Sequence, residues 1–178
     1  MKYLKYFESG GIDMKVTPHW LKNLDEIKSI LNIAKDEEIV VKSRPPLNDA
    51  AIQRSLSNFG GDKFKLYLHF SNCLMVSNKS NGLNIRVGQE LDSPAGVNMK
   101  DIDFIHAVTD QTFMQIIEDT YKRLEEFATS IELQISYVHG NEYYYNAQVI
   151  TLEDFLNRTW KGTQGRKETL IKVNIIIT

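Results

Sequence analysis

Polar and apolar positions change period several times along this chain of 178 residues, and each change marks an element. Lysines alternate with Tyr3, Leu4, Tyr6 and Phe7 over the first eight residues, and Ser9-Gly10-Gly11 breaks the run. A short strand is expected over Ile12–Val16. Thr17-Pro18 opens a helix, with a hydroxyl to cap it and a proline where the missing N–H costs nothing. Trp20, Leu24, Ile27 and Leu31, spaced 4, 3 and 4, give that helix one apolar face. After the polar turn Lys35–Glu38, Ile39-Val40-Val41 reads as a short buried strand, stopped by Pro45-Pro46. Asn48-Asp49 caps a second helix with Ile52, Leu56 and Phe59 inward, which Gly60-Gly61-Asp62 ends.

The middle of the chain switches to period two. Phe64, Leu66, Leu68 and Phe70 alternate with Lys65, Tyr67, His69 and Ser71, the pattern of a half-buried strand. Leu83, Ile85 and Val87 alternate after the turn Asn78–Gly82, so the region reads as a hairpin. Residues 88–100 form the longest irregular stretch. A strand over Ile102–Val108 leads to Thr109-Asp110, which caps the longest helix, with Phe113, Ile116, Ile117, Leu124 and Phe127 inward. Ile131, Leu133, Ile135 and Tyr137 then alternate with polar residues, 139–142 turns the chain, and Tyr143–Ile150 returns. Thr151 caps a short helix bearing Leu152, Phe155 and Leu156. The chain closes on Val173-Asn174-Ile175-Ile176-Ile177-Thr178, apolar on both faces, as in an interior strand.

These elements predict one α+β domain over 1–178, an antiparallel-rich sheet packed by helices, with 1–11 as an N-terminal extension. The order strand, helix, strand, strand, helix, strand over 102–178 resembles the ferredoxin-like unit, βαββαβ. The first hundred residues are expected to extend the same sheet or pack beside it.

Composition narrows the function classes. With 42% hydrophobic and 25% charged residues the chain can bury a core. Its formal net charge of −2 gives no global attraction to nucleic acid, so any such site must be a local patch. One cysteine, Cys73, allows neither an intramolecular disulfide nor a cysteine zinc cluster, and its apolar surroundings suit a buried thiol. No apolar run approaches the ~18–20 residues of a membrane helix, and the first residues lack the apolar core of a secretory signal. A cytoplasmic protein with no membrane partner, cofactor or metal is expected.

Three histidines, His69, His106 and His139, fall in or at the end of strands, where imidazoles could ligate zinc or exchange protons. Their spacings of 37 and 33 residues match no local metal motif. His69-Phe70-Ser71 resembles one half of the His-x-Ser/Thr pattern of two-histidine phosphoesterases. The second half would be His139-Gly140-Asn141, with asparagine in place of the hydroxyl residue. That resemblance implies His69, Ser71 and His139 as catalytic groups, with His106 joining them in a metal-dependent hydrolase. Asp101 and Asp103 share a strand face near His106, and Glu132-x-Gln134 is loosely similar to variant nuclease cores.

Gly162-Thr163-Gln164-Gly165-Arg166-Lys167 resembles the Gly-x-x-Gly loop with which KH domains hold a nucleic-acid backbone. In KH domains the loop joins two helices, whereas here a strand follows. With Trp160, Lys161, Arg166 and Lys167, the Tyr143-Tyr144-Tyr145 run would make a basic, aromatic binding surface. Consecutive strand residues face opposite ways, so at least one of these tyrosines is expected toward solvent or a partner. Met1–Ser9 resembles the short N-terminal peptides found on proteins of large tailed bacteriophages, which implies a viral origin and residence in the host cytoplasm. The expected function is non-enzymatic binding of a protein partner by an accessory or inhibitor protein. Nucleic-acid or nucleotide binding through 161–167 is the second expectation, and a phosphoesterase or metal hydrolase the third.

Overall fold

A computed structural model describes residues 18–37, 39–59, 64–79, 82–86, 102–106, 108–139, 142–159 and 168–178. For 59, 73–79, 82–86, 102–106, 137–139, 142–147 and 168–171 the description is of the backbone. The expected strand 12–16, the helix end at 60–62, the irregular stretch 88–100, the basic loop 161–167 and the bacteriophage-like peptide lie outside the described residues.

A 3-10 turn, His19–Asn23, leads into α1 (Leu24–Asp36). Trp20, Leu24, Ile27 and Leu31 are all buried, as their spacing predicts, and Trp20 packs on Phe64 with ring centroids 5.2 Å apart. β1 (Val40–Arg44) follows, and then α2 (Asp49–Phe59). The Asn48 side chain accepts the Ala51 N–H at 2.9 Å, so the cap falls where the sequence places it. β2 (Leu66–Ser71) buries Leu66, Leu68 and Phe70 completely. β3 (Cys73–Lys79), β4 (Gly82–Arg86) and β5 (Ile102–His106) come next. Thr109 caps α3 (Asp110–Glu125) by accepting the Thr112 N–H, and Phe113, Ile117 and Leu124 are fully buried. β6 (Ile131–His139), β7 (Glu142–Ile150), α4 (Leu152–Leu156) and β8 (Glu168–Ile177) complete the chain.

The described strands form two antiparallel sheets. Five lie in the order β1-β2-β8-β6-β7, and three in the order β4-β3-β5. The structure is therefore α+β with an antiparallel-rich sheet, as expected, and the first half of the chain extends the sheet of the second. β8 is interior, between β2 and β6, because Ile175 and Ile177 fill the helix-covered core while Ile176 is buried on the opposite face. α1 and α3 pack together over the core face.

The strands of 102–178 do not assemble as a ferredoxin-like unit. That unit would bring β5, β6, β7 and β8 into one sheet. Here β5 pairs with β3, from Cys73 opposite His106 to Ser77 opposite Ile102, while β8 lies directly on β6. Asn72 sits where the two sheets part. It separates β2 from β3 by one residue, and its side chain is 1% exposed. Its Oδ1 accepts the Val108 N–H and its Nδ2 donates to the Val108 carbonyl, both at 3.0 Å. The amide thus acts as a short strand segment, fixing the exit of β5 to the point where β2 hands the chain to the second sheet. The expected single strand through Phe64–Ser71 and its hairpin are consequently split: the hairpin partner of β4 is β3, not β2.

Candidate interaction surface

Alternation sorts the five-stranded sheet into two faces. Leu66, Leu68, Phe70, Leu133, Ile135, Val173 and Ile175 face the core. The other face carries Arg44 opposite Tyr67, and Tyr67 opposite Ile176. The next row across the strands is Lys42, His69, Asn174, Gln134 and Val149. Tyr67 is 38% and Val149 59% exposed, and Lys42 and Arg44 are also exposed. Ile176, at 5%, is covered in place between Tyr67 and Glu132. The face is ordered by side-chain bonds. His69 Nδ1 lies 2.6 Å from Asn174 Oδ1. Gln134 donates to Glu132 on the same strand.

At the side of β1 away from β2, α1 and the segment after the strand enclose a groove of about 510 Å³. Leu31 of α1, Val41 of β1 and Leu47 form its apolar surface. Lys28 and Lys35, seven residues apart on one face of α1, and Lys42 of β1 stand around it, and no described residue lining it is acidic. Lys28 donates to Asp25 at 3.3 Å, an exposed pair one helical turn apart.

The sequence candidates fall in different places. Trp160, Lys161, Arg166 and Lys167 lie outside the described residues, as do Gly140, Asn141 and Asp101. Tyr143, Tyr144 and Tyr145 are on β7, with Tyr143 opposite Val138 and Tyr144 opposite Tyr137, and their side chains are not among those described. The side chains of Cys73, Asp103, His106 and His139 are likewise outside the described set. The backbone places the three histidines on three different strands, His69 on β2, His106 on β5 and His139 on β6. His69 sits beside Asn174, whose other neighbour is Gln134. His139 is five residues further along β6, roughly 16 Å of strand. His106 belongs to the second sheet, opposite Cys73. Ser71 pairs in register with Val40 and Lys172, on the same face as His69. Among the described residues no three His, Cys, Asp or Glu side chains group as metal ligands.

Sequence reasoning passed over Lys28, Lys35, Lys42, Arg44 and Tyr67, each of which alone reads as a solvated residue. It also passed over His19, whose Nδ1 approaches the Phe127 carbonyl at 3.1 Å and ties the N-terminal turn to the end of α3. Within the short helix α4, Asp154 accepts hydrogen bonds from the Thr151 and Thr159 hydroxyls, which hold its carboxyl below the usual carboxylate range. No helix among the described residues is long and apolar enough to cross a membrane. Comparison with known proteins finds no matching family, no matching curated protein and no matching solved structure.

Proposed function

We propose that this chain is a non-enzymatic binding protein that engages a protein partner through the open face of its five-stranded sheet, at the β1–β2 end. The observation that carries the reading is the Arg44–Tyr67 pair. The two residues stand directly opposite one another, both exposed, beside the apolar Ile176. Tyr and Arg on a rigid strand support are the residue types that dominate protein interfaces, because each combines a large apolar body with hydrogen-bonding capacity. Extended aliphatic surface at Val149 and polar groups at His69, Asn174 and Gln134 would supply the surrounding contacts. The likeness of Met1–Ser9 to bacteriophage peptides supports a virus-encoded accessory or inhibitor protein acting in the host cytoplasm.

A second reading, nucleic-acid or nucleotide binding, is favoured by Lys42, Arg44 and Lys172 on the same face as the Tyr67 ring. One experiment separates the two. A photo-crosslinking amino acid in place of Tyr67, and at the exposed control position Lys122 on α3, is introduced into the protein in its host cell. The proposal expects one discrete protein adduct from position 67 alone, which then binds the purified chain when isolated. Nuclease-sensitive adducts would favour the second reading, and equal adducts from both positions would refute both.

A further inference from the structure

We draw no further inference here: the strongest candidate, the outer edge of the five-stranded sheet along β7 with its exposed Val149, carries nothing, because nothing in the structure shows what covers it.

Discussion

Replacing Asn72 with alanine removes a side chain that joins the end of β2 to the exit of β5. In the native protein its amide makes two hydrogen bonds to Val108, both 3.0 Å long, from a position 1% exposed. Each such bond contributes about 0.5–1.5 kcal/mol net. Val108 is half-buried, so its N–H and carbonyl would recover only part of their solvation in the variant. The expected loss is about 2–4 kcal/mol, a large share of the ~5–15 kcal/mol of a typical domain. In a urea titration this lowers the midpoint by about 1–2 M for a slope of ~2 kcal/mol/M. Asn72→Asp provides an internal control. The carboxylate can still accept the Val108 N–H but faces the Val108 carbonyl with a negative charge. The fold should therefore raise the pKa of this aspartate, so its protonated form is the better tolerated one. The deficit is largest at neutral pH and shrinks as the pH falls and the carboxyl regains a donor. Amide exchange at Val108 and across β5 should quicken in both variants before the five-stranded sheet is affected. A midpoint for Asn72→Ala within experimental error of the parent would refute the clamp and the sheet division that rests on it.

Removing residues 173–178 should abolish cooperative folding. Val173, Ile175 and Ile177 are fully buried, each contributing ~1.5–3 kcal/mol, and Thr178 exchanges backbone hydrogen bonds with Thr129 and Ser130. A truncated chain that stays monomeric with a sharp melt would show the strand to be dispensable. Leu124→Ala should cost ~2–5 kcal/mol, because the side chain is completely buried, whereas Lys122→Ala should be near neutral, losing only an exposed pair with Glu118. Equal denaturation midpoints would refute that assignment of faces in α3. Asp154 is held below its ordinary carboxylate range by Thr151 first and Thr159 second. Its folded-state pKa is depressed, so its contribution is present above the unfolded value and is lost as pH falls through the lowered one. Proton titration of Asp154 by NMR should give a lower midpoint than in Thr151→Val, and identical midpoints would contradict the bond.

Much of the fold was legible because burial imposes a period. Leu66, Leu68 and Phe70 could serve a core from one side only as a strand, and Phe113, Ile117 and Leu124 share one helix face. Caps were legible for a local reason: Asn48, Thr109 and Thr151 satisfy helix N–H groups within three residues. Strand partners were not, because period two says which way a side chain faces and nothing about which strand lies alongside. Hence β5 could be found in the sequence and still be placed in the wrong sheet. Asn72, a polar residue inside a run of alternating strand pattern, gave no local sign that it would bond a backbone 36 residues away. The candidate surface was hidden for the same reason. Lys28, Lys35 and Lys42 converge only when α1 lies beside β1, and Arg44 meets Tyr67 only through the β1–β2 register. The three histidines, a constellation in the sequence, fall on β2, β5 and β6, and the side chains of His106 and His139 are outside the described set.

Isothermal titration of the purified partner, once captured at position 67, against the parent chain and against the double variant Arg44→Ala and Tyr67→Ala bears directly on the proposed function. Both side chains are exposed, so the variant should melt with the parent. If the pair forms the centre of the interface, its loss should weaken affinity by about 30-fold or more, corresponding to the ~2 kcal/mol of a hot spot. Affinity unchanged in the double variant, with the fold intact, would contradict the assignment of the open sheet face as the binding surface.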